Sequence, residues 1–144
     1  MHVMIGVARG LACTVVVTFA AAASLAACSS APEASSAPPV GASPEQVARV
    51  YLRAAHAGDC TLTAALTLPH TWSWCSDPKL LDYRSIKGPE HVPVSEAGRN
   101  EECVGFWMDT HGSSDGSMPV GWQPWSLCLV KTHVGWRVYD QGQG

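Results

Sequence analysis

The sequence predicts an α+β domain in which N-terminal helices pack on one face of a curved antiparallel sheet. Three observations carry that expectation. A capped amphipathic stretch opens at Ser43, apolar residues alternate through the second half, and Gly- and Ser-rich runs cut that half into strand-sized pieces.

Ser43-Pro44-Glu45-Gln46 has a serine at an N-cap, proline at the first helical position and glutamine where a capping box needs one. Val47, Val50, Tyr51 and Ala54 recur at helical spacing, and Gly58 is the stop. Asp59 can cap a shorter helix through Leu62, Ala65 and Leu66, ended by Pro69. Asp77-Pro78 predicts another helical turn through Leu80, Leu81 and Tyr83. Strands are expected at His91–Ala97, Glu102–Asp109, Trp125–Thr132 and Trp136–Asp140, the last two pairing as a hairpin about Gly135. The run His111 to Gly121 is a loop by composition.

Ahead of this domain lies a different kind of segment. A short head carrying Arg9 precedes an apolar stretch from Leu11 to Ala27, which ends in small residues. These are the parts of a secretory signal. Leu25-Ala26-Ala27-Cys28 resembles the lipobox of bacterial lipoproteins. The resemblance implies that residues 1–27 are removed and that Cys28 carries a diacylglyceryl group as the new N-terminus. Two acyl chains on one residue suffice for stable anchoring. Residues 28–42, rich in Ser, Ala and Pro, offer almost nothing to bury and are expected to form a disordered tether. The folded domain is expected over 43–144, on the extracytoplasmic face of the membrane.

Cysteines and charge narrow the function classes. Beyond Cys13 and Cys28 the chain has Cys60, Cys75, Cys103 and Cys128, and an even number in a small exported domain reads as a disulfide framework. Three pairings are possible; Cys60–Cys75 with Cys103–Cys128 is favoured because each joins neighbouring predicted elements. A zinc site is disfavoured, since no Cys-x-x-Cys pair exists and an oxidising exterior consumes free thiols. The formal net charge is −3 and the basic residues are scattered, so the positive footprint that nucleic acid requires is missing.

The opening Ser-Pro-Glu-Gln-Val-x-x-x-Tyr-Leu-x-Ala, followed by Ala57-Gly58-Asp59-Cys60, resembles the first helix of small NTF2-like domains. The close, Gly135-Trp136-Arg137-Val138-Tyr139-Asp140 after Trp125-Ser126-Leu127-Cys128-Leu129-Val130, is similar to the last two strands of that group. The resemblance covers both ends of the domain and leaves Thr71 to Arg99 unmatched. It implies a cone of sheet and helices around a pocket, as in many exported actinobacterial lipoproteins. In enzymatic members the pocket holds an Asp base, or a Tyr and Asp that bind an oxyanion.

No catalytic residue of that kind maps onto this chain. Tyr51 faces the expected interior but is more readily explained as core, and Asp59 as a helix cap. His56, His70, His91, His111 and His133 show no helical i, i+4 spacing, and neither a nucleophile elbow nor a phosphate-binding glycine loop is present. Neither a metal nor a cofactor is expected. Six tryptophans stand out. Trp107, Trp125 and Trp136 fall in strands and are expected as core or pocket wall. Trp72 and Trp122, with Tyr51, are the candidate contacts for a ligand or partner. The leading expectation is a membrane-tethered module that binds or scaffolds, its partner an envelope protein or a small apolar ligand. The alternative is a small-molecule isomerase or hydrolase using the pocket.

Overall fold

The computed structural model describes residues 36–143. The signal segment 1–27, the lipidation site Cys28 and the first part of the tether lie outside the described residues. The elements are α1 (Pro44–Ala57), α2 (Cys60–Ala65), β1 (Leu80–Val92), α3 (Val94–Ala97), β2 (Glu101–Thr110), β3 (Gly121–Thr132) and β4 (Gly135–Gly142). The strands form one antiparallel sheet in the order β1-β2-β3-β4, each pairing with its neighbour in the chain. Among the described residues, no helix is long and apolar enough to cross a membrane.

Helix α1 forms as its sequence dictates. The Ser43 hydroxyl accepts from the Gln46 amide at 3.2 Å, and the Gln46 side-chain oxygen accepts from the Ser43 amide at 2.8 Å. The pair satisfies donors that the first turn leaves unbonded. Gly58 ends the helix at a φ of 71°, a conformation that costs glycine little. The Asp59 carboxylate then accepts from the Leu62 amide at 2.9 Å and starts α2. After α2 the chain runs along the edge of the sheet: Leu66 accepts from the Val138 amide at 2.8 Å and Leu68 donates to the Val138 carbonyl at 2.9 Å. These bonds occupy part of the open edge of β4.

Side-chain alternation divides the sheet into two faces. Val104, Phe106 and Met108 of β2, Trp125, Leu127 and Leu129 of β3, and Val138 of β4 are buried on one face. They form a single core with Val47, Tyr51, Leu52 and Ala54 of α1. Gly105, Trp107, Pro124 and Ser126 alternate with them and turn to the other face. Register shifts interrupt the β1–β2 and β3–β4 ladders, and such irregularities bend strands.

Three expectations are corrected. Leu80 to Tyr83 do not form a helical turn; they begin β1, where Leu80 pairs with Thr110 and Tyr83 with Met108. Three register shifts along β1 disrupt its period of two, so the stretch carries no clean strand signal. His91–Ala97 is not a strand. His91 and Val92 finish β1, and Val94–Ala97 is a single helical turn, because Pro93 has no N–H to give a ladder. Trp107 is not core but 43% exposed on the uncovered face, the side that alternation assigns it once Phe106 and Met108 point inward. Just ahead of α1 the chain touches the domain. Ala42 is buried, and a Cβ on Gly135 would come within 3.2 Å of the Val40 carbonyl, so the missing side chain makes room for the incoming chain.

Candidate functional site

Trp72 and Trp74 lie in the irregular stretch between α2 and β1, and several ties hold that stretch, three of them close to the two tryptophans. The Cys60–Cys75 disulfide joins it to the start of α2. The Tyr51 hydroxyl accepts from the Trp74 amide at 2.7 Å, which fixes the stretch to the middle of α1. The Gln141 side-chain amide donates to the Trp72 carbonyl at 2.6 Å and to the Tyr51 hydroxyl at 3.3 Å, which adds β4. Burial pushes the Tyr51 hydroxyl above its ordinary pKa of 10, against the pull of the Trp74 amide, so Tyr51 works as a neutral bracket.

The indoles form a chain of tilted and edge-to-face contacts running inward from the surface. Trp74 is fully buried and its ring nitrogen donates to the Pro78 carbonyl at 2.7 Å. Its ring lies 5.4 Å from that of Trp72 and 6.2 Å from that of Trp125. These separations fall in the range of favourable aromatic pairs. Trp72, at the outer end, is 43% exposed. Its indole is therefore presented to solvent while its neighbour is locked in the core.

Facing Trp72 is the loop between β2 and β3, whose side chains brace it. The Asp115 carboxylate accepts from the Ser113 hydroxyl at 2.6 Å, the Ser117 hydroxyl at 2.7 Å and the Ser117 amide at 2.9 Å. Those bonds lower its pKa to about 2. The Ser113 hydroxyl also accepts from the Met118 amide at 2.8 Å. Asp77 holds the loop from across the cleft, accepting from the Ser114 amide at 2.9 Å and from the Ser114 hydroxyl. Short polar side chains that bond neighbouring backbone make turns of this kind.

Trp72, Asp77, Pro78, Ser113–Asp115, Ser117 and Met118 enclose a cleft of about 370 Å³. That volume lies at the lower end of small-ligand sites. One wall is aromatic, and the other carries hydroxyls and carboxylates already held in position. The arrangement suits a ligand with an apolar face surrounded by hydrogen-bonding groups, and the carboxylates disfavour an anion.

Of the residues singled out in the sequence, Tyr51 and Trp72 are brought together through Gln141, whereas Trp122 lies on the far side of the sheet. Trp122 is 38% exposed at the start of β3, with the Arg84 guanidinium 4.0 Å over its ring. The cysteines are joined as Cys60–Cys75 and Cys103–Cys128. Asp77, Ser114 and Asp115 supply the cleft's polar groups from its two sides and were not anticipated; the Ser-Ser-Asp-Gly-Ser run signals a side-chain-braced turn but not what it faces. Trp74, Met108, Trp125 and Leu127 fill the space between α1 and the sheet. The buried carboxylate found among the described residues, Glu101, is not in that space; it lies beside Cys103 on the uncovered face.

Comparison of the chain with protein-family models, with curated proteins and with solved structures gave no match.

Proposed function

We propose that this chain is an exported, lipid-anchored module with an NTF2-like cone that binds a ligand at the cell envelope and does not catalyse. The observation that carries the reading is the exposed Trp72 indole against a polar wall braced in advance. Such preorganisation lowers the ordering cost of binding. The ligand class that fits is a neutral saccharide ring of the envelope: its C–H face can cover the indole, and its hydroxyls can donate to Asp77 and Asp115. Since side chains fill the core, the reading assigns the ligand to this surface cleft and not to the cone's interior. The Leu25-Ala26-Ala27-Cys28 motif supports anchoring through Cys28, with the remaining tether giving the domain reach. An isomerase or hydrolase acting inside the cone has no supporting side chain among the described core residues.

Two measurements test this together. Cys28→Ala should move the protein from the membrane to the soluble fraction. The wild-type domain should sediment with purified insoluble envelope glycan, Trp72→Ala should lose most of that binding, and Trp122→Ala should retain it. Membrane retention of Cys28→Ala would overturn the anchor, and equal sedimentation of wild type and Trp72→Ala would overturn the cleft.

A further inference from the structure

On the uncovered face one row of side chains crosses all four strands. Glu90 of β1 pairs with Cys103 of β2, Cys103 with Cys128 of β3, and Cys128 with Asp140 of β4. The two central members are joined as a disulfide, so carboxylates flank it on either side. Directly opposite residues of an antiparallel ladder on one face lie close enough to interact. Two residues before Cys103, on the same face, stands Glu101. It is only 8% exposed, and its side-chain oxygen lies 3.8 Å from the Cys103 sulfur.

That contact is not a hydrogen bond, because a disulfide sulfur has no proton to donate. Among the described residues, Glu101 therefore has no hydrogen-bond donor to its carboxylate. A largely buried carboxylate without a donor is unfavourable and calls for an explanation, which a second state of the site can supply. The state in question is the reduced one. The Glu101 oxygen and the two sulfurs all lie within 4.8 Å of one another. A tetrahedral zinc ion holds sulfur at about 2.3 Å and carboxylate oxygen at about 2.0–2.2 Å, which spaces its ligand atoms by roughly 3.5–3.8 Å. The 3.8 Å between Glu101 and Cys103 already matches that spacing. A groove of about 330 Å³ lined by Glu90, Cys103, Cys128 and Asp140 opens the sulfurs to solvent.

We propose that reduction of Cys103–Cys128 creates a site for Zn²⁺ or a similar thiophilic divalent cation, with Cys103, Cys128 and Glu101 as ligands. Glu90, Asp140 or water completes the coordination. The chemistry balances with a dithiol as reductant. It supplies two electrons and two protons, the S–S bond breaks to give two thiols, and the donor closes to its own disulfide. Binding of the cation then displaces the two thiol protons to solvent. While the disulfide is intact the sulfurs carry no charge and the site is closed, so cation capture is gated by redox state. The proposal does not depend on the Trp72 cleft.

The test uses the full chain, reduced with a phosphine and then titrated with Zn²⁺, and with Cd²⁺ for its ultraviolet thiolate band. The reduced protein should bind with release of about two protons, whereas the oxidised protein should not bind. Cys103→Ser with Cys128→Ser, which keeps the other cysteines, should lose the cadmium-thiolate band. Glu101→Gln, which keeps every cysteine, should weaken affinity at least about tenfold. Binding that survives the double serine variant would assign the ion to other thiols and overturn the proposal. So would a Glu101→Gln affinity equal to wild type, or failure of the reduced protein to bind.

Discussion

The two faces of the sheet are written by the same strands and differ in what alternation deals to each. On the side covered by α1, β2 and β3 contribute Val104, Phe106, Met108, Trp125, Leu127 and Leu129, and the space is filled. On the bare side the intervening residues are Trp107, Trp122, Arg84, Glu90, Glu101 and the Cys103–Cys128 disulfide. Indoles occur on both, so residue type does not distinguish them. Trp125 is buried and Trp107 is exposed, although both are strand tryptophans in the same part of the sheet. The covered face holds the fold together, and the bare face keeps its chemistry, apart from the buried Glu101, in reach of solvent.

The largest test of that difference is a matched pair of truncations. Trp74→Ala removes a fully buried ring that bridges Trp72 and Trp125, and should cost about 3–5 kcal/mol in denaturant unfolding. Trp107→Ala, on the bare face, should cost under about 1 kcal/mol. Comparable losses would mean that the bare face is also packing surface.

Next in size is the bare-face disulfide. Cys103 and Cys128 are separated by 25 residues, for which the chain-entropy model gives about 3.5 kcal/mol. Replacing both by serine should lower stability by that order, measured by the urea midpoint, and leave the Cys60–Cys75 link intact in unreduced peptide maps. A smaller loss would indicate that the row Glu90, Cys103, Cys128 and Asp140 stabilises the oxidised fold less than loop closure predicts.

On the covered face, Tyr51→Phe keeps the ring and removes the hydroxyl that receives the Trp74 amide. A buried donor left unpaired costs about 1–3 kcal/mol. The Tyr51 pKa is raised in the fold, so its stabilisation is complete below its ordinary value of 10 and declines as pH rises through the folded value. Wild type should therefore lose stability at alkaline pH more steeply than Tyr51→Phe.

What could be read in advance followed from how local its causes are. Helix α1 is encoded in the few residues from Ser43 to Gly58, whose caps and spacing act within the segment, and it was legible. Asp59 as the cap of α2 was legible for the same reason. Strand β1 was not, since register shifts near Asp82, Lys87 and Glu90 erase its alternation, and Leu80 is strand only because Thr110 lies beside it. Trp107 was misassigned because size suggests burial while parity decides it. The cleft joins Trp72 to Ser113–Ser117, and the four-strand row joins Glu90 to Asp140; both depend on pairings between distant segments. Composition could nominate Trp72, but only the fold could show what it faces.

The β2–β3 loop belongs to neither face, and it offers the smallest and most specific test. Asp115 has its pKa lowered from 3.8 to about 2 by the Ser113 and Ser117 donors, and it is fully exposed, so the effect is on loop order more than on global stability. A depressed pKa means that the disordered loop binds the proton more readily than the ordered one. The ordering contribution is therefore complete above pH 3.8 and is lost as pH falls from there through about 2. Protection of the Ser117 amide, followed by NMR, should fall across that window in wild type. In Asp115→Asn it should already be weaker at neutral pH and change little on acidification. If the amide stays protected through the window in both proteins, the hydrogen bonds from Met118 to Ser113 and from Ser114 to Asp77 suffice to hold the wall, and the cleft's preorganisation owes nothing to the Asp115 charge.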